Sequence, residues 1–291
     1  MVPAMAARAG FIGLGNIGRP MARRLVAAGL PTTVFDVAPD GVAELVACGA
    51  SAASSAREVA AASDTVGVCV RDDRDVRDVL LGDHGLLAGA HPGLVIAIHS
   101  TVLPRTVHEM GAAAAAVGVG VVDACVTGGA AGADMGRLTY MVGGRAEHID
   151  KCRPAFETSA LLITVTGELG SGAATKLCNN LMTYLGFLAA FEATLLAGRA
   201  GLSLQSLEEV TRSNGNMTDQ MLAFLTLHRI PAAQRNDAGF QQMLRGFTTL
   251  AEKDLAVTLE FARELGVALP GAALCQQLMA RVYGLLDDGR R

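Results

Sequence analysis

The chain has no tryptophan, and aromatic residues make up only 4 % of its 291 positions. Large aromatic anchors therefore cannot dominate its core. The apolar share of 51 % consists mostly of Ala, Val and Leu, which favours closely packed helices over disorder. Charge is scarce too: 18 % of residues are charged and the net value is −4, so no basic surface points to a nucleic-acid partner. The six cysteines, at positions 48, 69, 125, 152, 178 and 275, form no C-x-x-C pair. They read as small buried side chains in a reducing cytoplasm, not as disulfide staples or zinc ligands. The six histidines have no metal spacing either, and no metal is expected. No uninterrupted run approaches the roughly 18 apolar residues that span a bilayer, and Met1–Arg8 lacks the basic start and long apolar region of a secretory leader. A membrane partner is not expected.

What the chain has is glycine in a particular order. Phe11-Ile12-Gly13-Leu14-Gly15-Asn16-Ile17-Gly18 carries G-x-G-x-x-G after a short apolar run and before a helix-patterned segment. Gly13 permits a tight turn off a strand, Gly15 lets a pyrophosphate approach the backbone, and Gly18 lets the helix pack closely on the strand. The helix then aims its positive N-terminal end at the phosphates. Asp36, ending Thr32-Thr33-Val34-Phe35, lies at the distance where an acidic side chain grips a ribose 2′-hydroxyl. Together these residues imply a dinucleotide, and Asp36 favours NAD over NADP; the plainer alternative is a glycine-rich turn beside a solvated aspartate.

From residue 10 to about 165, β-rich runs alternate with helical patterns. The strands are expected at Gly10–Ile12, Thr32–Phe35, Thr65–Val70, Leu94–His99, Val119–Val122, Leu138–Val142 and, more weakly, Leu161–Thr164. Helical spacing occupies Ile17–Ala28, Gly41–Cys48, Arg74–Leu80, Arg105–Val117 and Ala146–Thr158. Such alternation implies a parallel sheet covered by helices, with ligands beyond the carboxyl ends of its strands. Past Gly170 the strand signals stop. Ala173–Ala200 is a long, nearly all-apolar helical stretch, expected to be buried at the centre of a second, all-helical domain. Helices at Ser206–Ser213, Asp219–Leu227, Leu250–Leu265 and Ala272–Leu286 complete it. The expected division is residues 8–168 and 169–291.

Lys176 is the ionisable group in the most unexpected company, within an otherwise apolar helix. Asn180 projects from the same face at i+4, toward the expected cleft between domains. Partial burial would lower the lysine pKa and suit it to proton transfer; the plainer alternative is a snorkelling rim lysine. Thr127-Gly128-Gly129, after a strand, offers two backbone N–H groups and a hydroxyl as a carboxylate nest, or is only a turn into the next hairpin. Ser100-Thr101 either lines a nicotinamide or caps the next helix ahead of Pro104. Arg71, in Arg71-Asp72-Asp73-Arg74-Asp75, follows a strand and so lies near the cofactor, although the run also reads as a solvated helix start. His99 is a tempting base, but a lone strand-end histidine more often satisfies the core.

Taken in order, these segments resemble the β-hydroxyacid dehydrogenases, the group of 3-hydroxyisobutyrate dehydrogenase and tartronate semialdehyde reductase. The resemblance runs nearly end to end. It rests on Gly10 to Gly18, Ser100-Thr101-Val102, Asp123 to Gly129 with Gly132 and Gly136, Met141-Val142-Gly143-Gly144, Gly170-Ser171-Gly172 through Lys176 and Asn180, and Lys253-Asp254-Leu255. It implies a Rossmann-type doubly wound α/β domain, then an all-α domain built around a long inter-domain helix, in a homodimer or homotetramer. It implies Lys176 as the catalytic lysine, with Thr127, Gly128, Gly129, Asn180 and Phe247 on the substrate. Gly13, Gly15, Asn16, Ile17, Gly18, Asp36, Val70, Arg71, Thr101 and Lys253 would face the cofactor. The expected reaction moves hydride between NAD and a small 3-hydroxy acid. Alternatives are an NADPH-dependent reductase of small aldehyde acids and a non-catalytic dinucleotide-binding module. The family often has Asp-Ala-Pro-Val-Ser at the carboxylate loop, whereas this chain has Asp123-Ala124-Cys125-Val126-Thr127; Val70-Arg71 replaces a frequent Leu-Pro, and Arg137 a frequent Thr. These departures leave the particular acid open.

Overall fold

The computed structural model describes residues 7–286. The leader expectation for Met1–Arg8 and the last residues of the helical domain, 287–291, lie mostly or wholly outside them. The chain divides into two compact units, one ending at Lys176 and the other beginning at Leu177.

The first unit is a sheet with helices on both faces. Its elements are β1 (Ala9–Ile12), α1 (Gly18–Ala27), β2 (Thr32–Phe35), α2 (Pro39–Ala47), β3 (Ser51–Ala52), α3 (Ala56–Ala62), β4 (Thr65–Val68), α4 (Asp73–Leu81), α5 (Leu86–Gly89), β5 (Val95–Ile98), α6 (Pro104–Ala115), β6 (Gly120–Thr127), α7 (Gly129–Asp134), β7 (Leu138–Gly143), α8 (Ala146–Glu157) and β8 (Ala160–Gly167). The strand order is β3-β2-β1-β4-β5-β6-β7-β8, whose first six strands follow the doubly wound dinucleotide-binding pattern. Successive residues of β1 face opposite layers. Phe11 packs with Leu14, Met21, Leu25, Tyr140 and Phe156, while Ile12 packs with Val68, Val76, Leu80, Ile96 and Ile98. A sheet covered on both faces needs this near-continuous apolar character in its strands.

Two expectations need correction here. The alternating pattern read as parallel throughout, yet β7 is antiparallel to β6, and β8 follows β7 in parallel. Residues 128–137 are too few for a parallel crossover, so β7 must return beside β6. The sequence also passed over β3 and the short helices α3, α5 and α7. Their apolar stretches are too short for periodicity to register. Ser55 nonetheless caps α3 by accepting from the Glu58 N–H at 3.4 Å.

α9 (Ser171–Arg199) starts in the first unit and continues into the second, which adds α10 (Leu204–Ser213), α11 (Asp219–Thr226), α12 (Ala232–Arg235), α13 (Ala238–Glu264) and α14 (Pro270–Tyr283). Its core gathers Tyr184, Phe187, Phe224, Leu255, Cys275, Met279 and Val282. α13 starts well before the expected Leu250, because Asp237 caps it through the N–H groups of Gly239 and Phe240; Gln241, Gln242 and Arg245 are polar positions on a helix, not a loop. α9 departs from expectation twice. It was expected to be buried, yet Met182 and Leu196 are 77 % and 73 % exposed. It is also long and apolar enough, by length and composition alone, to cross a membrane: an 18-residue stretch has mean hydropathy 1.5, with 22 % of it buried. Core helices of soluble domains reach similar values, so one such helix is weak ground for a membrane span.

Candidate active site

One row of paired residues crosses the sheet: Phe35, Ile12, Val68, Ile98, Asp123, Gly143 and Gly167. The first four close β2, β1, β4 and β5. Immediately past them lie Asp36, Gly13, the Cys69–Arg71 segment and His99-Ser100-Thr101. β6 alone runs on, to Thr127. The expected cofactor residues of this unit therefore collect along the carboxyl edge of the sheet, where α/β folds bind ligands.

At the first turn, Gly13 has φ +90°, and a Cβ there would strike the Cys69 carbonyl. A Cβ on Gly18 would strike the Gly13 carbonyl oxygen and the Phe11 ring, so the start of α1 can sit this close only without a side chain. Gly15 is different: it is exposed, and no heavy atom lies within 4 Å of a Cβ built there. Asn16 is exposed and Ile17 half-buried beside it. A pyrophosphate fits this cradle, over an exposed backbone and at the N-terminus of a ten-residue helix. Asp36 closes the turn, accepting from the Leu14 N–H at 2.5 Å and the Ala38 N–H at 2.7 Å. The next residue, Val37, is almost fully exposed.

Ser100 does not cap α6. Its hydroxyl accepts from the Val70 N–H at 2.8 Å, tying the loops after β4 and β5 together; Thr101 is the next residue of the second loop. Arg71 is 85 % exposed and pairs with Asp75, while Asp72 caps α4. His99 is a core residue. Its Nδ1–H donates to the Ala124 carbonyl at 2.7 Å, its ring stacks on Phe11 and meets Tyr140 and Phe156 edge-on, and burial pushes its pKa down to about 4. It is neutral at physiological pH and faces away from any base role.

Thr127, the last residue of β6, pairs with Thr139 of β7. Gly128 and Gly129 follow with φ +127° and +67°, both exposed, and Gly129 already begins α7. The expected loop is thus a strand end running straight into a short helix.

Lys176 is half-buried in the second turn of α9. The start of that helix is held by Asp123, a fully buried carboxylate in the middle of β6. One Asp123 oxygen accepts from the Gly170 N–H at 2.8 Å, the other from the Ala173 N–H at 2.7 Å. Burial pushes the Asp123 carboxyl upward, while the N–H groups of Gly170, Ala173, Asp123 and Gly172 hold it down.

In the second unit, Asn180 is buried and donates its amide to Asp254 at 2.8 Å. Tyr184 donates to the same oxygen at 3.0 Å, and the Lys253 ammonium lies 2.7 Å from the other. Phe247, one to two turns earlier on α13, is partly exposed and lies against Tyr283, their ring centroids 5.9 Å apart. Asn180 and Lys253, expected on substrate and cofactor, are thus joined through Asp254.

The sequence motifs contain Asp123 and Asp254 but assign neither a role. A usable signal was present. Each is an acid inside an apolar stripe, Val121 to Val126 for one and Ala251-Leu255-Thr258 for the other, and a buried charge must be paired. Among the described residues no group of His, Cys, Asp and Glu could hold a metal ion.

Two family models match the sequence. The NAD binding domain of 6-phosphogluconate dehydrogenase covers residues 8–167, and the NAD-binding domain of NADP-dependent 3-hydroxyisobutyrate dehydrogenase covers 170–289. The NAD-dependent L-serine dehydrogenase of Pseudomonas aeruginosa is 37 % identical over 92 % of this chain and 89 % of its own length. The 3-hydroxyisobutyrate dehydrogenase of the same organism is 34 % identical over 93 % and 90 %. Among solved structures, the Mycobacterium tuberculosis 3-hydroxyisobutyrate dehydrogenase with L-serine superposes with a TM-score of 0.81 at 30 % identity, covering 96 % of this chain and 94 % of that one.

Proposed function

Because this chain belongs to the β-hydroxyacid dehydrogenase family and is an NAD(P)-dependent hydroxyacid dehydrogenase, we propose that it uses NAD to interconvert a small 3-hydroxy acid and its semialdehyde, with Lys176 as the proton shuttle. The Thr127 hydroxyl and the N–H groups of Gly128 and Gly129 receive the substrate carboxylate. Lys176 takes the hydroxyl proton as a neutral amine in oxidation and returns it as an ammonium in reduction. Asn180, its amide held by Asp254, helps to hold the reacting oxygen, and Phe247 borders the substrate. Gly13, Gly15, Asn16, Ile17, Gly18 and Asp36 hold the adenosine and pyrophosphate, and Val70, Arg71, Thr101 and Lys253 complete the cofactor side. Bound nicotinamide accepts or returns the hydride of the carbinol carbon. A homodimer or homotetramer in a reducing, cytoplasmic setting belongs to the same reading.

The observation that carries the substrate class is the pair of left-handed glycines directly after Thr127, on the strand that overruns the carboxyl edge. Adjacent N–H groups in such a turn suit an anion. The substrates in the relatives' names, L-serine and 3-hydroxyisobutyrate, share a carboxylate, one intervening carbon and a primary alcohol. The test compares kcat/KM for L-serine and 3-hydroxyisobutyrate with their methyl esters. An acid should outperform its ester by about 10²-fold or more, since charge-assisted hydrogen bonds contribute about 1.5–3 kcal/mol each. Gly128→Val should produce a similar loss from the protein side: its Cβ would lie 3.1 Å from Leu138 in a conformation β-branched residues avoid. Equal rates for acid and ester would remove the Thr127–Gly129 turn from substrate recognition.

A further inference from the structure

Asp123 is a charged group that the mechanism above does not use, buried completely in the middle of an apolar strand. A lone carboxylate there would be costly unless its oxygens were paired. They are paired only with backbone: Gly170 N–H on one, Ala173 N–H on the other. These are orphan donors at the start of α9, the groups a helix leaves unsatisfied at its N-terminus. Asp123 therefore acts as an N-cap supplied from another element, and its charge meets the positive end of the helix dipole.

The neighbouring residues are cut to fit this contact. A Cβ on Gly172 would come within 2.5 Å of the Met141 carbonyl oxygen and 2.9 Å of the Asp123 carboxylate. A Cβ on Gly143, the residue paired with Asp123 across the sheet, would come within 2.6 Å of the same carboxylate and of the Ser171 hydroxyl. The Ser171 hydroxyl in turn bonds Thr166 at 2.8 Å, and Thr166 reaches the Val142 carbonyl at 3.1 Å.

We propose that Asp123 is the positioning residue of the active site: it sets Lys176 at a fixed place relative to the Thr127–Gly129 turn. This rests on Lys176 being the proton shuttle. Lys176 lies three residues past Ala173, about 4.5 Å along the helix axis. Thr127 lies four residues past Asp123, about 13 Å along the strand. Both paths are regular backbone, and they share one carboxylate. The proton shuttle and the carboxylate nest are thereby referred to the same atom group within the first unit. A small displacement of the first turn of α9 moves the amine and leaves the nest and the glycine cradle in place.

The test is a double-mutant cycle of Asp123→Asn and Lys176→Ala, with Gly172→Ala as a second route to the same junction. Asparagine keeps the shape but turns an amide donor toward a backbone donor. Asp123→Asn should lower kcat by about 10- to 100-fold, the effect of a misplacement near 1 Å, with dinucleotide affinity by fluorescence titration within about threefold of wild type. In the Lys176→Ala background it should have almost no further effect on kcat. Gly172→Ala, which leaves every titratable group in place, should give the same loss of kcat even if Asp123→Asn fails to fold. Wild-type kcat in Asp123→Asn, or losses that multiply in the double mutant, would overturn the proposal. Lys176→Ala retaining wild-type activity would instead overturn the shuttle reading, and that arm reports it independently.

Discussion

At the residue scale, Asp36 and His99 illustrate how one side chain can be decided by what surrounds it. Asp36 presents a carboxylate at the glycine turn and is followed by Val37, with no basic side chain in Val37-Ala38-Pro39-Asp40 to grip a 2′-phosphate. Two anions at short range repel strongly where solvent is thin. NAD should be preferred over NADP at least tenfold in kcat/KM, about 1.4 kcal/mol or more; equal use of both cofactors in a steady-state assay would refute this. His99 predicts an acid limb in stability. Its folded pKa is lowered to about 4 by burial, below its unfolded value near 6.5. The unfolded chain therefore binds the proton first as pH falls. Stability should be complete above pH 6.5 and decline between pH 6.5 and 4 by up to about 3 kcal/mol. His148 and His228, also lowered by burial, act in the same direction; Asp123, raised, acts oppositely in the carboxylate range. Urea titrations across this window should show the decline in wild type and a flatter profile in His99→Leu, whatever that variant's absolute stability.

At the scale of elements, the strands and long helices were legible where periodicity ran long enough. β1, β2, β4, β5 and α1 lie within a residue or two of the expected ranges, because alternating or 3.6-residue apolar patterns report burial directly. β6 was expected to end at Val122 and continues to Thr127. Asp123 breaks its apolar run, and a charge there reads as a strand end until its partners on α9 are known. The direction of β7 was equally hidden: pairing is a property of two segments, and neither states its orientation alone. For the candidate site, the glycine turn, the Thr127–Gly129 segment and Lys176 could be found from composition and spacing. The bonds joining Asn180 and Tyr184 to Asp254 could not, since Asp254 is 74 and 70 positions away from them along the chain.

At the scale of the whole molecule, apolar side chains remain in the open. Leu161, Leu162 and Val165 are exposed on β8, an edge strand, and Met182, Leu195 and Leu196 on α9. Soluble proteins rarely leave long apolar edges and helix faces uncovered. The protein should therefore sediment as a dimer or tetramer. Met182→Glu combined with Leu196→Glu should lower its mass toward the monomer while far-UV circular dichroism stays unchanged. A monomeric wild-type protein at micromolar concentration would exclude the oligomer.

The sequence by itself determined the fold class, the cofactor class and the identity of the charged residue most out of place, Lys176. Those follow from local quantities: glycine spacing, apolar period, and one cation in an apolar helix. Only the tertiary structure decided that β7 turns back, that His99 is a neutral core residue, that α9 leaves Met182 and Leu196 exposed, and that Asp123 holds the helix carrying Lys176. Each of these depends on a contact between segments far apart in the chain, and a contact of that kind leaves no trace in the spacing of either segment.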